Sequence, residues 1–197
     1  MLAKFEISCS TFEQTLRVDG LAQVAFVGRS NAGKSSLLNM LTNQKRLAIT
    51  SSTPGRTRLI NFFRVSFAKD KPEIFFVDLP GYGFASAAKS AKDGWGVHIT
   101  DYLTKTRALR RVFILLDIRH SPSKLDLQML HFLQTHDMPF SIVATKADKL
   151  SRAQTAGAVK ILAHSIGVGS LDIIVTSAKN RTGIDDVTSK ILDILNG

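Results

Sequence analysis

The chain has 197 residues, 44% hydrophobic and 21% charged, which excludes a disordered, collagen-like or disulfide-braced protein and is enough for one domain with a full core. Its single cysteine, Cys9, cannot form an internal disulfide and reads as a buried structural thiol, and the N-terminus has no apolar run of signal or membrane-spanning length, so a cytoplasmic location is expected. Lys and Arg total 26 against 16 Asp and Glu, for a formal charge of +10, which favours a polyanionic partner over purely small-molecule chemistry.

In chain order, residues 21–27 form an apolar run that ends at a glycine-rich turn, and an amphipathic stretch over 34–41 follows, which predicts strand, loop and helix. Residues 42–58 are polar and aperiodic, with Thr53-Pro54-Gly55 inside them, and predict a long loop. Two apolar segments, 59–67 and 73–77, are joined by the short link 68–72 and predict an antiparallel hairpin. Residues 79–96 hold four glycines and predict a loop before a helix over 97–109. Short β-branched or aromatic runs at 112–116, 140–144 and 171–175 are each followed by a helical pattern, and the last helix presents Ile184, Val187, Ile191 and Ile194 on one apolar face. No internal repeat, low-complexity tract or interdomain linker interrupts this βα alternation. A single α/β domain over 1–197 is expected, with an N-terminal extension over 1–20 and a core over 21–197. The core would be a mostly parallel sheet with one antiparallel hairpin strand and helices on both faces. The basic residues gather at Lys45-Arg46, Arg56/Arg58, Lys89/Lys92, Arg107/Arg110/Arg111 and Arg119/Lys124, so any binding face must be assembled by folding.

Gly28-Arg29-Ser30-Asn31-Ala32-Gly33-Lys34-Ser35 fits G-x-x-x-x-G-K-S and sits between a predicted strand and a predicted helix, the context a phosphate-binding P-loop requires. Glycines there let the backbone wrap an anion, so that successive N–H groups and the helix N-terminus point at phosphates. Lys34 would neutralise the β/γ oxygens and the Ser35 hydroxyl would ligate Mg²⁺, with Ser36 next along. Asp78-Leu79-Pro80-Gly81 ends the second hairpin strand, placing a carboxylate where it can hold Mg²⁺ through water and the Gly81 N–H where it can meet a γ-phosphate. Thr57 is the candidate for a second hydroxyl ligand of Mg²⁺, with Thr53 as its rival.

Thr145-Lys146-Ala147-Asp148 follows an apolar run and matches T-K-x-D. A guanine edge presents N1–H and the N2 amine side by side, and one carboxylate, Asp148, can accept from both; adenine has no such pair. Lys146 would lay its stem along the base. Thr176-Ser177-Ala178, continued by Lys179, follows the next strand and offers the Ala178 N–H to guanine O6. A P-loop small-molecule kinase would share Lys34 and Ser35 but has no use for these two base motifs.

The set G-R-S-N-A-G-K-S, T-P-G-R-T, D-L-P-G-Y-G, T-K-A-D and S-A-K resembles the EngB (YihA/YsxC) family of bacterial GTPases, over nearly the whole chain. The resemblance implies a three-layer P-loop NTPase fold of the Ras-like G-domain type, with a short N-terminal strand near Lys4 to Ser8. It also implies GTP hydrolysis with Mg²⁺, a role in assembling the large ribosomal subunit, and an association with division and septation. It carries nucleotide contacts onto residues 28–35 and onto Gly55, Arg56, Thr57, Arg58 and Leu59. Further contacts fall on 78–81, on 145–148 and on 176–178, with Lys34, Thr57 and Gly81 in catalytic positions and Ser35, Thr57 and Asp78 around the metal. Two departures from the Ras pattern stand out. Thr145 replaces an asparagine whose amide would tie the base loop to the P-loop, so modest guanine affinity is expected, about −8 kcal/mol. Tyr82 replaces the water-orienting glutamine, so unassisted hydrolysis is expected to be slow. A partner or a K⁺ ion at Asn31 would then supply what is missing. Binding to the large subunit or its precursor as a monomer is expected, the alternative being a ribosome- or RNA-binding module whose hydrolysis is incidental.

Overall fold

Short apolar strands alternating with amphipathic helices leave a sheet with two apolar faces, each of which must be covered. The computed structural model describes residues 1–48, 59–67, 72–83 and 96–196. The strands are β1 (Leu2–Cys9), β2 (Gln23–Gly28), β3 (Ile60–Ser66), β4 (Glu73–Asp78), β5 (Leu109–Asp117), β6 (Phe140–Thr145) and β7 (Ile173–Val175). The helices are α1 (Phe12–Thr15), α2 (Lys34–Leu41), α3 (Val97–Lys105), α4 (Lys124–Thr135), α5 (Arg152–Ile166) and α6 (Ile184–Asn196).

All seven strands join one sheet in the order β1-β3-β4-β2-β5-β6-β7. Only β3 runs against the rest: it is antiparallel to both β1 and β4, while β4, β2, β5, β6 and β7 pair in parallel. The expected hairpin is therefore present, and β1, with a register shift between Phe5 and Ile7, extends its outer edge. On one face, Leu37, Leu38 and Leu41 of α2 and Val187 and Ile191 of α6 cover Phe26, Phe76, Phe113 and Leu115. On the other, Tyr102 of α3, Leu130 and Leu133 of α4 and Leu162 of α5 cover Phe62, Phe75, Val112 and Ile114. Because β2 and β4 are buried on both sides, they read as near-continuous apolar runs and not as alternating ones. Cys9 lies in this core at 0% exposure, and burial pushes its thiol up from its ordinary value, as expected of a structural cysteine.

Several boundaries differ from expectation, three of them for one reason. The third helix ends at Lys105, because Thr106 is extended and Leu109 is drawn into β5 beside Gln23. β2 starts at Gln23 and leaves Leu21 outside. β7 begins at Ile173, since residues 170–172 form a 3₁₀ turn that leaves Leu171 fully exposed. In each case an apolar residue near an element end fits helix, strand or turn equally well by pattern, and hydrogen-bonded pairing decides.

Candidate nucleotide-binding site

The chain leaves β2 for α2 on one face of the sheet, returns through β3 and β4 on one side of β2, and resumes at β5 on its other side. A crevice opens at such a point beyond the carboxyl ends of the strands, which is where ligands of open α/β sheets bind. Residues 28–33 fill that position. Gly33 stands at φ 99°, which is accessible to glycine at no steric cost, and Asn31 at φ 66° is one of the few non-glycine residues in the left-handed region. α2 starts at Lys34 with no side-chain cap, whereas α4 and α5 each begin with a capping box, Ser123 with Asp126 and Ser151 with Gln154. The first amides of α2 are thus left to an outside acceptor.

Lys34 Nζ lies 3.8 Å from Asp78 Oδ1, both side chains about nine-tenths buried. Burial raises the Asp78 carboxyl above its ordinary value and the Lys34 ammonium opposes that rise. Among the described residues, Asp78 Oδ1 has no hydrogen-bond donor. A buried carboxylate oxygen without a donor there, near the lysine that opens α2, and a half-buried Ser35 hydroxyl one residue along that helix are hard oxygen ligands of the kind that suit Mg²⁺ shared with phosphates. Among the described residues no three His, Cys, Asp or Glu side chains cluster as an all-protein metal cage.

A pocket of about 230 Å³ is lined by Gly33 of the phosphate loop and Ser36 of α2, by Thr145 at the end of β6 with Lys146 and Asp148 after it, and by Thr176 and Ala178 from the segment after β7. Sequence positions more than a hundred residues apart converge here. Asp148 is fixed by Ser177, whose hydroxyl donates to Asp148 Oδ1 at 2.9 Å and accepts from the Asn180 N–H at 3.1 Å. The Ala147 N–H donates to Thr176 O at 3.1 Å, binding the two base-side segments together.

Thr145 overturns one expectation. Its hydroxyl donates to Ala32 O at 2.6 Å, 113 positions away, so threonine does tie the base loop to the P-loop. The Leu116 carbonyl lies within 3.2 Å of the same oxygen. The premise for weakened guanine binding, a missing tie, therefore fails.

A second cleft of about 200 Å³ lies on the outer side of the P-loop, between Arg29, Ser30 and Asn31 and the segment after β5. Lys146 reaches across it, donating to the Asn31 carbonyl and pairing with Asp117 Oδ2 at 2.8 Å. Burial disfavours ionisation of Asp117, but hydrogen bonds from Arg119 and Lys146 outweigh it and hold the carboxyl well below the usual carboxylate range. Asp117 and Asp126 belong to this site and were missed by motif reading. Their signals were a carboxylate at the end of a central strand and the S-x-x-D pattern of Ser123 and Asp126.

Of the other expected contacts, Leu79 is a core residue that can offer only its backbone, Pro80 and Gly81 are half-buried, and Leu59 is exposed just before β3. Gly55, Arg56, Thr57, Arg58 and the rival Thr53 lie outside the described residues, as do Lys89 and Lys92 of the basic clusters. Arg111 and Arg119 are engaged within the protein, Arg111 with Phe140 O and Ser141 Oγ and Arg119 with Asp117, so those basic clusters are only partly available.

A P-loop, a D-x-x-G strand end and a T-K-x-D/S-A-K base pocket on a seven-stranded, mostly parallel sheet define a GTPase domain. A family profile described as "50S ribosome-binding GTPase" matches residues 23–146. Relatives called "Probable GTP-binding protein EngB" include those of Geotalea daltonii, 45% identical over 89% of this chain and 82% of the relative, and Pelobacter propionicus, 46% identical over 89% and 85%. That of Streptococcus pyogenes serotype M28 is 45% identical over 89% and 86%. Among solved structures, a probable GTP-binding protein engB superposes with a TM-score of 0.69 at 22% identity, over 89% of this chain and 99% of that one. Era in complex with MgGDPNP and a 16S ribosomal RNA segment gives 0.70 at 23%, over 89% and 57%. The chain belongs to the EngB family of GTP-binding proteins.

Proposed function

We propose that this GTPase is a Mg²⁺-dependent switch in assembly of the large ribosomal subunit, acting in the cytoplasm as a monomer. The observation that carries the nucleotide half of this reading is Asp148, held by Ser177 in the same pocket as Gly33 and Ser36. Asp148 accepts from guanine N1–H and N2, the Ala178 N–H addresses O6, and the P-loop amides with Lys34 take the phosphates. Ser35 and Asp78 would hold Mg²⁺, with Thr57 the sequence-based candidate beside them; when bound, the ion neutralises charge on the β- and γ-phosphate oxygens. Gly81 then senses the γ-phosphate through its N–H. Slow hydrolysis follows from Tyr82, whose ring is buried and whose hydroxyl donates to Asp126 Oδ1 at 2.9 Å, away from any role in orienting water. Asn31 is the place for an activating K⁺, and single-turnover hydrolysis equal in K⁺ and Na⁺ removes that reading.

The ribosomal half is supported by the description of the matching family and by the +10 charge. The association with division and septation rests on family resemblance alone. The test is co-sedimentation with purified large subunits in a non-hydrolysable GTP analogue, in GDP and without nucleotide, across a salt series. At least about tenfold tighter binding with the analogue is expected, falling steeply with salt as phosphate contacts are screened. Equal binding in all three states replaces the switch by the alternative that the +10 charge favours, a ribosome- or RNA-binding module with incidental hydrolysis.

A further inference from the structure

We infer that Tyr82 is a positioning residue for γ-phosphate recognition: its hydroxyl, anchored on Asp126 at the start of α4, fixes the place of the Gly81 amide against the P-loop. This rests on the reading that Gly81 addresses the γ-phosphate. Residue 82 is hydrogen-bonded to the P-loop on both sides, with the Ser30 N–H donating to Tyr82 O at 3.0 Å and the Tyr82 N–H donating to Gly28 O at 3.3 Å. Gly81 is held so close that a Cβ on it would come within 3.1 Å of Ser30 N.

The side chain supplies the third point of attachment. The residue is 3% exposed, and its hydroxyl donates to Asp126 Oδ1 at 2.9 Å. Asp126 is itself immobilised: its Oδ2 accepts from the Ser123 N–H at 2.8 Å and from the Ser123 hydroxyl at 2.7 Å, completing the cap of a 12-residue helix. The anchor is therefore a rigid helix start packed on the sheet, and not a loop. A peptide one residue from such an anchor, with both flanking hydrogen bonds formed, has little freedom left to lose when a phosphate oxygen arrives. The same bond joins the phosphate-sensing peptide to α4, so a displacement of either is felt by the other.

The experiment measures affinities of the full chain for guanylyl imidodiphosphate and GDP, each with Mg²⁺, in wild type and Tyr82→Phe. The phenyl ring preserves the packing, and Asp126 keeps both Ser123 bonds, so the variant folds. Affinity for the triphosphate analogue is expected to fall about tenfold while GDP affinity is unchanged, and kcat for GTP to fall with it. Adding Tyr82→Phe to Asp126→Ala is expected to cause no further loss, because the two act through one bond. Ser123→Ala, which removes one of the two bonds that hold Asp126, is expected to lower thermal stability and to shift the analogue-to-GDP ratio in the same direction as Tyr82→Phe but by less. An equal loss for both nucleotides, an unchanged ratio or a gain in analogue affinity in Tyr82→Phe each overturns the inference. Gly81→Ala separates it from the reading beneath: analogue affinity lost there but retained in Tyr82→Phe leaves the γ-phosphate role standing and removes the positioning role.

Discussion

Asp148→Asn is expected to abolish useful GTP affinity, by about 10²- to 10³-fold, while raising affinity for xanthosine nucleotides. Guanine offers two adjacent donors, and Asp148, with side-chain exposure of only 9%, offers them a carboxylate. The Ser177 hydroxyl already donates to Oδ1, so an asparagine keeps its carbonyl oxygen toward Ser177 and turns its amide toward the base. Donor then meets donor in a confined site, and leaving such groups unpaired costs several kcal/mol. Xanthine replaces the N2 amine by a carbonyl and accepts from that amide. Titration of wild type and variant with GDP, XDP and ADP reads the result directly. Because Ser177 and Asn180 hold the loop through their own bonds, the variant's thermal stability is expected to change little. Undiminished preference for guanosine phosphates in Asp148→Asn would falsify the base assignment.

How much of this was legible beforehand depends on the range of each interaction. The P-loop, its helix and the hairpin are local patterns, and α2 begins and ends where periodicity places it. The base pocket was legible as a set of motifs because T-K-x-D and S-A-K carry their own chemistry. Contacts between side chain and distant backbone were not. Thr145 looked like the loss of an asparagine amide, since nothing local reveals that its hydroxyl, at the end of a strand two places across the sheet, reaches Ala32 O. Lys146 was assigned to the base through its stem, and it lines that pocket, but nothing in its motif tells that its ammonium joins Asn31 O and Asp117, a carboxylate contributed by a different strand. Ser123 and Asp126 were readable as a helix start, but the bond from Tyr82 to Asp126 spans 44 positions and belongs to neither pattern. Pattern reading recovers what a segment does to itself or to a ligand, and misses what two segments do to each other after the sheet has brought them together.

Lys34→Met separates catalysis from stability at the same pair of residues. Lys34 is the one cation within 4 Å of Asp78 among the described residues, and Asp78 Oδ1 has no other donor there. Removing the ammonium leaves a nearly buried carboxyl with nothing to offset its burial. The variant is expected to lose about 3 kcal/mol of unfolding free energy in urea, the lower end for breaking a buried pair, because the 3.8 Å separation makes this a loose one. Hydrolysis is expected to fall about 10²- to 10³-fold, since the charge proposed to meet the phosphate oxygens is the same one. Asp78→Asn added to Lys34→Met removes the orphaned charge and is expected to restore most of the lost stability, while hydrolysis stays at the single variant's level or lower, because the carboxylate proposed for the metal has also gone. If the double variant regains activity along with stability, Lys34 acts on the fold and not on the phosphates. If neither returns, the loss comes from packing of the lysine stem against the P-loop, and the pair carries no electrostatic coupling.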